Sequence, residues 1–402
     1  MKHTLIKYLL SGVVFSVAGA SQAELDIEYT GTAAFEQRYF LQDALYPQQS
    51  RDNASVYFSP ELYTALNDGQ DTILFRGFVR LDQNDQKRTH GDIREFLWAH
   101  IGDDWEIKTG IGKVFWGQAE SLHLVDIINQ TDAIEAIDGE DKLGQAMVSL
   151  SLYKEWGNFT AFVLPYFRER TFAGMDGRLR GPVEIDTDNA LYESSDEEKN
   201  LDWALRWQHT LGDWEVGLSY FDGTSREPDF IPSMKGDNEF VLRPYYSQIQ
   251  QVGVDVLAIV EAWIIKFEAI QRSGNMQDYW AMVGGFEYTS VGVFDSVYDI
   301  GWLVEYQYDD RQELATTTAQ NDILIGARWV LNDFDGTEVL FGMVQDLDYS
   351  GVRSGFIEAS SRINDHWKWR VDAYLFSSDE PTDISYFLRR DDYAQFSLEY
   401  YF

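Results

Sequence analysis

The stretch YDIGWLVEYQYD, residues 298–309, decides the fold. Tyr298, Ile300, Trp302, Val304, Tyr306 and Tyr308 fall on one side of an extended chain, and Asp299, Glu305, Gln307 and Asp309 on the other. Alternation with a period of two is the signature of a strand with one apolar face. The same pattern recurs outward from it in both directions. Residues 72–82 set Ile73, Phe75, Val79 and Leu81 against Arg76, Arg80 and Asp82, and residues 201–208 set Leu201, Trp203, Leu205 and Trp207 against Asp202, Arg206 and Gln208. Residues 367–375 set Trp367, Trp369, Val371 and Leu375 against Lys368, Arg370 and Asp372. A soluble β-sandwich also alternates, but it does not begin and end its apolar faces in Trp and Tyr. Such aromatic ends fit the girdles of an all-β, transmembrane, antiparallel up-and-down β-barrel.

Connection lengths give an independent reading. The strands expected are 24–40, 54–67, 71–85, 91–102, 105–117, 146–155, 158–172, 201–211, 214–224, 241–258, 262–272, 277–289, 293–310, 321–331, 338–348, 353–363, 367–377 and 385–402, which makes 18. Every second connection is tight, as at Asp68-Gly69-Gln70, Asp103-Asp104, Trp156-Gly157 and Gly212-Asp213. The others hold the long segments 41–53, 119–145, 173–200, 225–240 and 311–320. Short periplasmic turns alternating with long external loops are the habit of outer-membrane barrels, and this register puts both termini on the periplasmic side.

Composition narrows the class. The chain of 402 residues has a formal net charge of -35, which argues against nucleic acid as a partner. It has no cysteine, yet 45% of its residues are hydrophobic and 13 are Trp, with no second apolar run long enough for a membrane helix. At the N-terminus Lys2 and Lys7 precede an apolar stretch from Leu9 to Ala20, and Ser21-Gln22-Ala23 follows. Residues 1–23 read as a secretory signal peptide, and 24–402 as a single barrel exported to the outer membrane of a Gram-negative bacterium. The expected partners are outer-membrane lipid and lipopolysaccharide, the barrel-assembly machinery and a polar solute. The last residues, FSLEYYF, set Phe396, Leu398, Tyr400 and Phe402 on one face. An alternating ending with a terminal Phe resembles the signal that outer-membrane barrels present to their assembly machinery, and the last strand is expected to pair with the first so that no edge is left in lipid.

The most informative local stretch is WEIKTGIGKVFWGQ, from residue 105, with the long segment that follows it. Gly112, Lys113, Trp116, Gly117, Asn129 and Asp132 resemble the alginate-export type of porin and related, largely uncharacterised proteobacterial barrels, with Gln130 standing where that pattern has proline. The resemblance implies a porin whose long loop follows a Gly-basic strand. Read from the residues, Gly110 and Gly112 remove bulk from the wall, so that 119–145 is expected to fold inward as a constriction. Leu122, Leu124, Val125, Ile127, Ile128, Ile134 and Ile137 would anchor it, while Glu120, Asp126, Asp132, Glu135, Glu140 and Asp141 would face water. An external cap remains the alternative.

Charges on the expected inner face form two arcs. Arg76, Arg80, Arg94, Lys108, Arg168 and Arg170 come from early strands, and Glu215, Glu268, Glu287 and Glu305, with Asp255 and Asp299, from middle ones. Their separation would set a field across a pore, unless they pair as a structural network. The acidic external loop 173–200 matches no calcium-loop spacing and reads as a solvated surface, so neither a metal nor a cofactor is expected. Ser121 lies near His123 in sequence, but no Ser-His-Asp set emerges, so no catalytic residue is assigned. The function expected is passive passage of small or linear polar solutes. A filled or gated barrel in an export or envelope assembly is the alternative, and an outer-membrane hydrolase the weakest reading.

Overall fold

A strand whose every other residue is apolar can bury that face in lipid, provided its backbone groups are all paired within a closed sheet. The computed structural model, which describes residues 26–236, 239–274 and 278–402, has that architecture. Its first seven strands are β1 (Ile27–Phe40), β2 (Asp52–Leu66), β3 (Asp71–Asp82), β4 (His90–Ile101), β5 (Trp105–Gly112), β6 (Gln145–Lys154) and β7 (Gly157–Leu164). After the two-residue strands β8 (Glu184–Ile185) and β9 (Leu191–Tyr192) come β10 (Asp202–Leu211), β11 (Trp214–Thr224), β12 (Asp229–Lys235), β13 (Glu239–Tyr246) and β14 (Gln248–Val260). The remainder are β15 (Trp263–Ser273), β16 (Tyr279–Ser290), β17 (Asp299–Asp309), β18 (Asn321–Val330), β19 (Glu338–Asp346), β20 (Arg353–Arg362), β21 (Trp367–Ser377) and β22 (Tyr393–Tyr401).

Eighteen of these form one antiparallel sheet, and β22 pairs with β1 from Thr32↔Tyr401 to Phe40↔Tyr393, which closes it. The other four, β8, β9, β12 and β13, make a small sheet beyond the rim. The barrel therefore has a turn end, where β1 begins and β22 ends, and a loop end that carries this sheet and the long connections. The outward face is apolar and exposed along every part of the wall, as at Phe35, Val79, Phe96, Leu218, Ile265 and Leu375. Trp98, Trp214, Trp263, Trp302, Trp329 and Trp367 stand on it near the turn end, and Trp203 and Trp280 near the loop end. The inward face is polar and buried, with Glu36, Arg80, Asp255, Glu268, Glu305 and Asp372 among its residues. Apolar outside and polar inside, in a closed sheet, is the fold of a transmembrane barrel.

Several strand ends differ from the sequence reading, each for a local reason. Residues 241–258 do not form one strand: 239–246 fold back on β12, where Pro244 faces Phe230, and the barrel strand starts at Gln248. Proline has no N–H to give to a central ladder, so Pro244 belongs to the small sheet. Pro165 ends β7 for the same reason, so Arg168 and Arg170 lie on a connection, not on the expected strand 158–172. The strand expected at 105–117 stops at Gly112. The strand expected at 293–310 begins at Asp299, after a short turn in which Phe294 has φ 59°. The strand expected at 385–402 begins at Tyr393, because 384–388 form a 3₁₀ turn capped by the Asp383 carboxylate, which accepts from the Ser385 N–H at 2.8 Å. The signal-peptide reading of 1–23 lies outside the described residues.

The chain end is fixed to its last atom. The N–H of Phe402 donates to the Gly31 carbonyl at 3.2 Å, and the Gly31 N–H returns a bond to the Phe402 carbonyl at 3.3 Å. The Phe402 ring stacks on Phe58, with centroids 5.7 Å apart, and meets Tyr29 at 5.2 Å. A Cβ on residue 31 would lie 2.6 Å from that ring, so glycine makes the space for it.

Candidate functional site: a segment folded into the barrel

Between β5 and β6 the chain does not stay at the rim. Residues 113–144 enter the barrel and are held there against one part of its wall, from β3 and β4 round to β18. The entry is clasped by Asn129, which is buried. Its Oδ1 accepts from the Val114 N–H at 2.8 Å, and its Nδ2 donates to the carbonyls of Gly112 at 2.9 Å and Leu143 at 2.8 Å. One side chain thus ties the outgoing and returning stems together. Gln130, in the place where proline was expected, is also buried and donates to the Arg168 carbonyl at 3.2 Å.

The underside of the segment is apolar. Trp116, Val125, Ile127 and Ile128 pack on Met147, Phe162, Leu164, Phe221, Ile249 and Ile270, which project inward from β6, β7, β11, β14 and β15. An apolar patch on the inner wall would cost free energy against water, and the segment covers it. Gly112 serves this packing, since a Cβ there would lie 2.2 Å from the Met147 methyl. Arg206 lies over the Trp116 ring at 4.9 Å and pairs with Asp255 at 2.9 Å. Ile134 is buried as well, while Leu122, Leu124 and Ile137 are only half-buried.

Two carboxylates on the wall then cap the segment's backbone. Glu268 of β15 accepts from the N–H groups of Gln118 at 2.6 Å, Ala119 at 2.9 Å and Val125 at 3.2 Å. Glu305 of β17 accepts from Glu120 at 2.8 Å and Ser121 at 2.9 Å. Both are fully buried. They do not face a water path, as the sequence reading had them; they replace water as partners of backbone donors that would otherwise be orphaned. Gly117 lies against Glu268 at φ 143°, and a Cβ there would meet His123 Nδ1 at 2.9 Å and Glu268 Oε1 at 3.2 Å.

Ion pairs extend the hold around the wall. Glu120 reaches Arg328 at 2.6 Å and Lys266 at 3.4 Å, Asp132 reaches Arg94 at 2.6 Å, and Glu135 reaches Arg80 at 2.7 Å. Asp126 turns onto Lys142 of the segment itself at 3.2 Å. Asp126 and Asp132 are therefore buried partners and not the water-facing carboxylates expected. Burial pushes the Asp126 carboxyl up from its ordinary value, against the pull of Lys142. His123 and Glu140 meet at 2.6 Å. Burial opposes the His123 charge, but Glu140 outweighs it and raises the imidazole above its ordinary value; the hydrogen bond from His123 in turn lowers Glu140.

Arg94 owes its position to a β-bulge. The β3–β4 register shifts between Arg76 and Gly77, which face Glu95 and Ile93, so that Arg94 is the extra residue. Neighbours in sequence, Arg94 and Glu95 are both buried on the inner side. The basic arc is also matched locally. Arg76 pairs with Glu61 and, at 2.5 Å, with Glu95; Arg80 pairs with Glu36; Lys108 pairs with Glu106 at 3.0 Å; Arg168 pairs with Asp92 at 2.9 Å. Glu36, Glu61, Glu95 and Asp92 were missed in the sequence, although Glu61 is the cross-strand partner of Arg76 once the register is known. Arg170 gives its backbone N–H to the Tyr246 hydroxyl at 3.0 Å. Glu215 and Glu287 lie towards the turn end of β11 and β16. Ser121 and His123 point to different partners, Glu305 and Glu140, and do not form a nucleophile–base pair.

The segment leaves part of the interior open. A cavity of about 1230 Å³ runs between it and the wall made by β1–β3 and β19–β22. Lys113, Phe115, Asp138 and Asp141 face it from the segment, and Arg38, Tyr57, Glu358, Arg370, Tyr374 and Glu399 from the wall. Towards the loop end it reaches Glu227, which Arg272 and Arg311 approach at 3.4 Å and 3.8 Å. Burial would raise the Glu227 carboxyl, but the two guanidinium groups outweigh it and hold it down at about 2. In the external connection expected as an acidic loop, Glu184 pairs with Lys235 at 2.9 Å and Asp186 accepts from Asn189 at 2.9 Å, both within the small sheet or beside it.

No known family matches the chain, and no curated protein matches it. Among solved structures, a protein titled "Asymmetric conductivity of engineered proteins" has 12% identity and a TM-score of 0.46, covering 94% of this chain and 100% of its own. A mutant of the Rh. blastica porin has 11% identity and a TM-score of 0.46 over 94% and 100%. A loop-deletion mutant of OmpT, an outer membrane protein of Vibrio cholerae, has 10% identity and a TM-score of 0.47 over 94% and 99%. Similarity at this level says nothing about a solute.

Proposed function

We propose that the chain is an outer-membrane channel for passive passage of small or linear polar solutes, with residues 113–144 as its constriction. The observation that carries this reading is the charged cavity that runs beside the inserted segment from the Glu227 cluster to Glu399 and Tyr401 near the chain end. The turn end then faces the periplasm and the loop end the outside, and the apolar belt sits in the lipid and lipopolysaccharide of a Gram-negative outer membrane, reached through a cleaved leader and the barrel-assembly machinery. A solute crossing here meets ionised groups of both signs and the rings of Phe115, Tyr57 and Tyr374, which favours polar molecules with small apolar faces. The resemblance to alginate-export porins is compatible with a linear solute and identifies none.

A second reading rests on the apolar patch beneath the segment. Because the segment is packed and capped like a core element, the barrel also suits a gated component of an export or envelope assembly. Single-channel recording of the refolded protein in a planar bilayer separates the two, with and without residues 119–144. Stable openings that widen on deletion are expected of a constricted pore. No current in the intact protein with a large current after deletion would favour a gate, and no current in either form would overturn the channel.

A further inference from the structure

His90 opens β4 at the loop end and turns its ring towards the inserted segment. Its Nδ1 lies 3.0 Å from the Arg88 carbonyl oxygen, which can only accept, so Nδ1 carries the proton and the neutral ring presents its Nε2 lone pair. Nε2 is sealed from solvent without a hydrogen-bond partner. What it faces are two more electron-rich atoms, Asp132 Oδ2 and Glu135 Oε1, each at 3.6 Å. With the ring neutral, three lone-pair donors converging in this way repel one another unless a cation lies between them; a second proton on the ring is the competing way to relieve that repulsion. The three ligand atoms lie within 4.8 Å of one another. Metal–nitrogen and metal–oxygen bonds of about 2.0–2.2 Å in a tetrahedral shell set neighbouring ligand atoms roughly 3.3–3.6 Å apart, which the two 3.6 Å separations match.

The surroundings are those of a supported site. A ligating imidazole gives its other N–H to a carbonyl, and ligating carboxylates are themselves hydrogen-bonded. Here Thr171 Oγ1 donates to Asp132 Oδ1 at 2.6 Å, Arg94 to Asp132 Oδ2 at 2.6 Å and Arg80 to Glu135 Oε2 at 2.8 Å. The two arginines do not supply the missing charge, because each is also answered by another carboxylate, Glu36 for Arg80 and Asp92 for Arg94. Within 4 Å, Arg80, Arg88, Arg94 and Arg168 pair with Glu36, Asp82, Asp92, Asp132 and Glu135, and Arg38 acts on Glu36 from farther off, so no arginine is left over to face His90. The geometry points to a divalent transition-metal ion of the zinc class held by His90 Nε2, Asp132 and Glu135, bridging β4 to the inserted segment. An imidazole ligand with only two carboxylates disfavours calcium and magnesium, which require more oxygens. The His90 side chain is 21% exposed, but its Nε2 is sealed, so a metal would enter only as the segment loosens from β4.

Cobalt(II) is the first probe, added to the chelator-stripped, folded full-length protein in detergent. Intense visible d–d bands of tetrahedral cobalt at one equivalent, displaced by zinc and unaffected by magnesium, are expected. Weak octahedral bands only would overturn the proposal. Zinc titration by calorimetry then assigns the ligands: His90→Gln should lose that equivalent, with a fall in affinity of 100-fold or more, while His123→Gln and His366→Gln keep it. Equal zinc binding by wild type and His90→Gln would overturn it and leave a doubly protonated imidazole as the cation between the carboxylates. If His90→Gln fails to fold, Glu135→Gln and the cobalt spectrum of the wild type decide.

Discussion

At the scale of single residues, the inserted segment is held by groups whose charge states differ in reach. Glu268 and Glu305 are sealed under it, whereas the His123–Glu140 pair lies where Glu140 is half exposed. The pH dependence of this tether follows from the two directions of shift. His123 is raised above its ordinary value of 6.5, so its contribution is complete below that value and is lost as pH rises through the raised one. Glu140 is lowered below its ordinary value of 4.5, so its contribution is complete above that value and is lost as pH falls through the lowered one. The tether is therefore fully made between pH 4.5 and 6.5 and weakens on both sides. Current noise recorded against pH should be lowest in that window, and His123→Ala should remove the dependence on the alkaline side. Equal alkaline dependence in the variant would place its origin elsewhere. Val125, Ile127 and Ile128, apolar residues of the segment, do pack on the inner wall, whereas Gly110 makes room only for the β4 backbone at Phe96 and Leu97. The roles of Glu268 and Glu305 were not legible, because a carboxylate that caps backbone N–H groups looks in sequence like any inward charge of a barrel.

At the scale of elements, alternation alone located the 18 barrel strands, because lipid on one side and polar contacts on the other impose a strict period of two along each. Strand ends were less legible. Apolar residues continue past Gly112 in Val114, Phe115 and Trp116, and nothing in their spacing says that Val114 and Trp116 pack on the inner wall, or that Phe115 faces the cavity, and not lipid. The bulge that turns Arg94 inward is invisible before the register is fixed. β22 begins later than expected, at Tyr393, but its faces are as read: Phe396, Leu398 and Tyr400 share the lipid face, and Phe402 completes it against Tyr29 and Phe58. Phe402→Ala removes ring burial of about 2 kcal/mol and leaves Gly31 without its neighbour. The variant should refold with a lower yield of heat-resistant barrel and a lower urea midpoint, read by gel mobility and tryptophan fluorescence. A midpoint equal to that of the wild type would show that the seam is held by backbone pairing alone.

At the scale of the whole molecule, the strongly acidic composition does not carry through to the cavity. Twelve Lys and Arg side chains line it beside thirteen Asp and Glu. With opposite charges this closely matched, the reversal potential under a potassium chloride gradient should correspond to a permeability ratio within about threefold of unity. A strongly cation-selective current would mean that the external acidic loops govern passage. The connections that hold the segment also differ in how much chain must exist before each can form. The Asn129 clasp joins residues 15 apart, whereas the Glu305 cap joins residues 185 apart, and Arg328 reaches Glu120 across 208. Contacts so distant in sequence pay their loop-closure entropy late. The segment is therefore a staged assembly: a local knot forms as β5 and β6 pair, and its far side is fastened only after β15, β17 and β18 have come round. A barrel stalled before that point would carry a bare apolar stripe on its inner wall, open to water and to association with other unfinished chains.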